Sequence, residues 1–124
     1  MDKFNNQRPL YLQLKEIIEE AILVDVLKPD EVIPSIRSLA KDYKLNPITV
    51  SNAIDVLVES DILYKKIGIG MFVCHEAKQK ICSQQTDNFQ NKELKMAIEK
   101  AKMLGIAKET VTEIISNIYG GKND

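Results

Sequence analysis

The sequence is short of nearly everything that marks a specialised chemistry. Its 124 residues include no Trp, two Cys, one His, four Pro and five Gly. Two cysteines, Cys74 and Cys82, are too few for a disulfide scaffold. A single histidine, His75, with no partnered nucleophile offers no acid–base constellation, so no enzyme is expected. Cys74, His75 and Cys82 can be combined on paper as soft-metal ligands or as a redox pair. Their spacing matches no zinc pattern and a fourth ligand is missing, so neither a metal nor a cofactor is expected. No uninterrupted apolar run exceeds four residues (21–24), far below the ~18–20 of a membrane-spanning helix. Residues 1–6 have no apolar core to act as a secretion signal, so the sequence predicts a cytoplasmic protein without a membrane partner. An excess of charge is lacking too: 17 Lys and Arg oppose 18 Asp and Glu, a net charge of −1 with His neutral. A strongly basic domain is the usual footprint of a nucleic-acid partner, so any such binding here must rest on local clusters of positive charge.

What is present is an ordinary globular balance, 44% apolar and 28% charged, which excludes global disorder and fibrous repeats. The length allows a small domain with a modest appendage. Helical periodicity begins behind Pro9, with Leu10, Leu14, Ile17, Ile18, Ala21 and Ile22 on one face, and stops before Pro29, which disfavours helix in the residue ahead of it. Ser35 is a natural N-cap for a short second helix in which Ile36, Leu39, Ala40 and Tyr43 share a face. Lys44, Leu45 and Asn46 then separate it from a third helix, which Asn46 caps and Pro47 opens. Val50, Ala53, Ile54, Leu57 and Val58 repeat along its buried side. Helix, three-residue turn and helix is the spacing of a helix-turn-helix.

Two β-rich runs, 62–67 and 71–74, flank Gly68-Ile69-Gly70 and predict a hairpin, the wing of a winged helix. The polar stretch 75–88 reads as a linker with some helix at its end. Two further helices follow, one carrying Leu94, Ala97, Ile98, Ala101 and Leu104 and stopping at Gly105, the other carrying Val111, Ile114, Ile115, Ile118 and Tyr119 and stopping at Gly120. The expected fold is mainly α with a small β-hairpin wing, a winged helix-turn-helix at 9–75 followed at 76–124 by a linker and a two-helix appendage. Tyr11, Leu14, Ile18, Leu39, Val50, Ile54, Leu57 and Phe72 are the expected core.

Four stretches, in order and correctly spaced, carry a family likeness. They are Pro9-Leu10-Tyr11-Leu12-Gln13-Leu14, Ile33-Pro34-Ser35-Ile36-Arg37-Ser38-Leu39-Ala40, Leu45-Asn46-Pro47-Ile48-Thr49-Val50 and Gly68-Ile69-Gly70-Met71-Phe72-Val73. Together they resemble the DNA-binding domain of the GntR family of bacterial transcription regulators. The short helical tail resembles the YtrA-type subfamily, whose members carry a small dimerisation unit in place of a ligand-binding domain. The resemblance implies a repressor, control of a membrane-transport operon, and a base-contacting role for Arg37. Departures are local: Asp25, Asp30 and Asp61 stand where the family usually has Gly, Asn52 stands where an Arg is common, and the wing carries fewer positive charges.

The residues themselves point the same way. In the first turns of the third helix, Asn46, Ile48, Thr49, Ser51 and Asn52 can reach base edges in a major groove. Asn52 can pair with adenine, while Ile48 and the Thr49 methyl suit thymine methyl groups, so A·T-containing sites are favoured. Ser35 caps the second helix and Arg37 lies in its first turn, able to reach a phosphate or a guanine, or simply solvated. Lys41, Lys44, Lys65 and Lys66 can neutralise phosphates or merely solubilise the surface. Gly68 and Gly70 either bring the wing backbone close to DNA or only close the hairpin. Two short helices cannot form a stable core alone, so Leu94, Ile98, Ala101, Leu104, Val111, Ile114, Ile115 and Ile118 are expected to form a homodimer interface. Such a dimer would present two recognition helices to a palindromic operator in double-stranded DNA. The contrasting expectation is a winged-helix protein-interaction module that has lost DNA binding. No residue set points to a small-molecule effector pocket.

Overall fold

The computed structural model describes residues 4–120 and separates the chain into two compact units, ending and starting at Ser83 and Gln84. The first is built on α1 (Leu10–Leu23), α2 (Ile36–Tyr43), α3 (Pro47–Glu59) and a hairpin of β1 (Leu63–Lys66) and β2 (Gly70–Val73). Helix α4 (Ala77–Asn88) begins in it. A single apolar cluster holds these elements together. Leu14, Ile18 and Ile22 come from one stripe of α1, Val50, Ala53, Ile54 and Leu57 from one stripe of α3, and Leu39 and Ala40 from α2. Ile62, Leu63, Met71 and Val73 close the cluster from the hairpin side. At ~1.5–3 kcal/mol for each large side chain fully withdrawn from water, this cluster outweighs every polar contact in the unit. Of the expected core residues, Tyr11 is only half-buried and packs on its margin, and Phe72 is half-buried outside it, stacked on Tyr64.

The hairpin is antiparallel, with Leu63 opposite Val73, Tyr64 opposite Phe72, Lys65 opposite Met71 and Lys66 opposite Gly70. Gly70 therefore lies in β2, and the turn is Ile67-Gly68-Ile69. The segment ahead of α2 docks on the free edge of β2. Ile33 N–H donates to the Met71 carbonyl at 2.8 Å, Val73 N–H to the Glu31 carbonyl at 3.2 Å, and Val32 bridges Phe72. A two-stranded hairpin alone is marginal in water; this third segment and the core beneath it make the wing a fixed structure.

The stretch 75–88 is not a linker. It is α4 from Ala77 onward, and Ala77 and Ile81 are fully buried in the first unit's cluster. Two apolar side chains four residues apart form too faint a stripe to stand out among Lys, Gln and Ser, yet they suffice because a prepared apolar surface receives them. Lys78 Nζ reinforces the placement by pairing with Asp25 at 3.1 Å. Buried Gln13 also ties down the segment preceding α1. It accepts from Asn5 N–H at 2.9 Å and donates to the Asn5 and Arg8 carbonyls at 2.9 and 2.8 Å.

In the second unit, α4 passes into a π-helical stretch (Phe89–Leu94), then α5 (Lys95–Met103) and α6 (Lys108–Tyr119). Leu94 ends the π-helical stretch rather than lying in α5. Gly105 and Gly120 take left-handed φ of 79° and 85° at the ends of α5 and α6, as their C-terminal glycines predict. Among the described residues of this unit none is buried. Ala101 and Val111 are half-buried, while Leu94, Ile98, Leu104, Ile114, Ile115 and Ile118 are exposed.

Candidate nucleic-acid interface

The helix-turn-helix geometry follows from three local choices. Ser35 Oγ accepts from Ser38 N–H at 3.1 Å and caps α2. Lys44 then turns the chain through the left-handed region at φ 57°. Asn46 Oδ1 accepts from Ile48 N–H at 2.8 Å and caps α3, with Pro47 at its first position. Each cap oxygen thus has one acceptor site taken by its helix and one still free, and the Ser35 hydroxyl donates to Ser38 Oγ at 3.2 Å.

Ile48 and Asn52 are exposed, one turn apart on the same face of α3, whereas Thr49 and Ser51 are half-buried. An isoleucine 69% exposed at a helix N-terminus gains nothing for the fold, and its neighbour Asn52 offers both a donor and an acceptor. Arg37 in the first turn of α2 is exposed, as are Lys41 and Lys44 at its other end. Helix α2 packs against α3 and α3 against β1, so these cations lie on elements that neighbour the helix carrying Ile48 and Asn52.

On the wing the two lysines differ. Lys65 Nζ lies 3.9 Å from Asp55 Oδ1, on the same exposed face of α3 as Asn52. Lys66 Nζ sits 4.9 Å from the ring centre of Phe72, which stacks on Tyr64 at 5.5 Å. The Tyr64 hydroxyl donates to Asp30 Oδ1 at 2.9 Å, and that hydrogen bond to a carboxylate raises the phenol above its ordinary pKa. Cation, paired rings and carboxylate thus brace one side of the hairpin. Gly68 at the tip has φ 79°, and a Cβ there would meet nothing within 4 Å. Gly70 has φ 148°, and a Cβ there would meet Val32 Cγ2 at 3.2 Å; this glycine serves the packing of the wing.

Asp55, Tyr64 and the exposed tip residues Ile67 and Ile69 were not among the expected functional positions. Asp55 had a visible signal, since it lies three residues beyond Asn52 on one helix face. The bracing role of Tyr64 had none, because Asp30 is 34 residues away.

The other constellation is not brought together as a metal site: among the described residues no three His, Cys, Asp or Glu side chains are placed to hold an ion. Burial raises the Cys74 thiol above its ordinary pKa, which keeps it in the less nucleophilic form. Cys82 is exposed, and His75 Nδ1 lies 3.8 Å from Asp30 Oδ2. No helix among the described residues is long and apolar enough to cross a membrane.

Residues 10–73 match the gntR family of bacterial regulatory proteins. The chain is 29% identical over 120 residues to the HTH-type transcriptional repressor YtrA of Bacillus subtilis (strain 168), covering 94% of this chain and 92% of YtrA. Its fold is similar to a transcriptional regulator from Oenococcus oeni, with a TM-score of 0.82, 28% identity, and coverage of 96% of this chain and 98% of the other. The DNA-binding domain of AraR, solved in complex with an operator, superimposes with a TM-score of 0.54 and 31% identity, covering 60% of this chain and 90% of that domain. The family match takes in the whole helix-turn-helix and its wing, and the likeness to YtrA extends over nearly all of the remainder. The chain belongs to the gntR family of bacterial regulatory proteins.

Proposed function

We propose that the protein is a dimeric, sequence-specific DNA-binding repressor that holds a palindromic operator. The observation that carries this reading is the exposed start of α3. Ile48 and Asn52 face outward there, and Arg37, Lys41, Lys44, Lys65 and Lys66 are all exposed on the elements around it. In a major groove, Asn52 pairs with adenine and Ile48 meets a thymine methyl, Arg37 takes a guanine edge or a phosphate, and the lysines hold the backbone. The near-zero net charge is no obstacle, because the binding rests on local cations of α2 and the wing rather than on the charge of the whole chain. The AraR domain of similar fold, solved in complex with an operator, supports this use of the first unit.

Dimerisation is carried by the second unit. Leu94, Ile98, Leu104, Ile114, Ile115 and Ile118 are exposed there with no core of their own, and a second copy of the chain is the partner that buries them. A two-fold dimer sets its two recognition helices on half-sites ~34 Å apart, or a multiple of that spacing. A transport operon as the target is what the resemblance of the short helical tail implies, and a DNA-binding role suits a cytoplasmic location. The rival reading, a winged-helix module that binds protein alone, lacks any use for an exposed Ile48 and Asn52 beside five cations.

The test is retention of duplexes by the full chain from a random-sequence pool. The expected product is a palindrome with A·T pairs in each half-site, bound with strong salt dependence. Replacing Arg37 with Ala weakens binding to that duplex by ~1–3 kcal/mol. Failure to retain any duplex at low salt would leave the protein-interaction module standing.

A further inference from the structure

The π-helical stretch Phe89–Leu94 has no local cause in its sequence. None of its residues is Pro or Gly, the common reasons for a helix to depart from α geometry. Such stretches are rare and recur at functional sites. Neither end of this one is buried, Phe89 being 52% exposed and Leu94 41%. What the stretch changes is register. Hydrogen bonds in a π-helix span five residues, so Phe89 and Leu94, five apart, come to lie one above the other. In an uninterrupted α-helix of 3.6 residues per turn the same pair would point about 140° apart. From Leu94 the regular spacing of α5 continues the line through Ile98 and Ala101, four and seven residues on. The stretch thereby carries Phe89 onto the apolar face of α5.

Resting on the reading of the second unit as the dimerising one, we infer that the π-helical stretch sets the register of the dimer face and that Phe89 is its aromatic anchor on the second copy. The area fits that occupant. An aromatic side chain can bury ~150–250 Å². Added to the exposed aliphatic side chains already placed on α5 and α6, Phe89 brings the apolar surface to roughly the 800 Å² per partner of a standard interface. No charged residue interrupts the line of Phe89, Leu94, Ile98 and Ala101, and large aromatics on such faces carry a disproportionate share of binding. The other side of α5 offers a contrast. Met96, two residues past Leu94 and 62% exposed, points away from this line. Exposure alone therefore does not mark the dimer face; alignment with Leu94 and Ile98 does.

The test is sedimentation equilibrium of the full chain. Phe89→Ser should raise the dimer dissociation constant about 30-fold. Met96→Ser, a comparable loss of exposed apolar surface on the opposite side of α5, should leave it unchanged. Deletion of Asn91 places Phe89 four residues ahead of Leu94, the neighbour spacing of an α-helix. That variant should lose the π-helical stretch and keep the parent's dimer. A Phe89→Ser chain with the parent's dissociation constant, or equal weakening by Phe89→Ser and Met96→Ser, overturns the anchor. Loss of the dimer on deleting Asn91 overturns the register. In each of these cases a dimeric parent leaves the proposed function standing. A parent chain that sediments as a monomer overturns both the inference and the dimeric reading it rests on.

Discussion

The two units of this chain bury their apolar residues to opposite extents. In the first, Leu14, Val50, Ile54 and Leu57 are fully withdrawn from water. In the second, Met103, Ile118 and Tyr119 are each more than three-quarters exposed, and no described residue is buried. Composition does not account for this, since both units carry apolar residues at helical spacing. The difference is in what each stripe meets. Helix α1, α3 and the hairpin face one another, so each stripe is covered by the next. Helices α5 and α6 are short, and with Ala101 and Val111 half-buried they cover little of one another. A self-sufficient domain and an incomplete one are thus joined in a single chain, and the incomplete one states what it needs: more apolar surface of the same kind.

Removing apolar bulk should therefore have unequal consequences in the two units. Leu57→Ala in α3 leaves a cavity in a filled cluster and should cost ~3 kcal/mol of unfolding free energy, read by chemical denaturation and independent of protein concentration. Ile118→Ala, at a side chain 76% exposed in the chain, should have an effect that grows with protein concentration if the proposed dimer buries it. Equal, concentration-independent losses at the two positions would erase the contrast between the units.

The next largest effect concerns assembly. Ile98→Asp together with Ile115→Asp places carboxylates on the exposed faces of α5 and α6. Sedimentation at micromolar concentration should move from dimer to monomer, and binding to a two-half-site duplex should drop ~100-fold through loss of the linked second contact. Binding to a single half-site should be unchanged. A parent chain that sediments as a monomer both free and on DNA would assign the exposed faces of the second unit to some other partner.

The legibility of these features in the sequence varies with how local their causes are. Caps are local: Ser35 and Asn46 announce the starts of α2 and α3 by residue type alone, and both side chains make the expected hydrogen bond. The apolar stripes of α1 and α3 repeat often enough to be read without a partner in view. Helix α4 was missed because only Ala77 and Ile81 contribute to the core, and two residues define no period. The Tyr64–Asp30 bond and the Gln13 clamp were out of reach because each depends on chain segments meeting only after the core has formed. At the candidate site the residue types were readable, as were the capping bonds of Ser35 and Asn46, but the placement of Lys66 over the aromatic pair emerges only in three dimensions.

The smallest effect tests the backbone of the filled unit. Asp25, Asp30 and Asp61 all adopt left-handed φ, at 65°, 63° and 61°, at positions where the family resemblance leads one to expect glycine. Left-handed geometry strains a residue that has a Cβ, and aspartate tolerates it better than most because its short carboxylate can bond locally. Two of the three carboxylates are engaged with distant residues instead, Asp25 in its pair with Lys78 and Asp30 in its bond from Tyr64. Asp61 makes no side-chain hydrogen bond or ion pair among the described residues. It sits where α3 gives way to Ile62 and the hairpin, so its strain is borne by the turn that sets the wing against the recognition helix. Asp61→Gly should therefore raise stability by ~0.5–1 kcal/mol, the relief of strain outweighing the greater freedom that glycine gives the unfolded chain. Asp25→Gly should gain less, because the pair with Lys78 is lost. Thermal melting of the two variants side by side reads the difference directly. A destabilised Asp61→Gly would mean that the carboxylate holds the turn in a way its exposed position does not reveal.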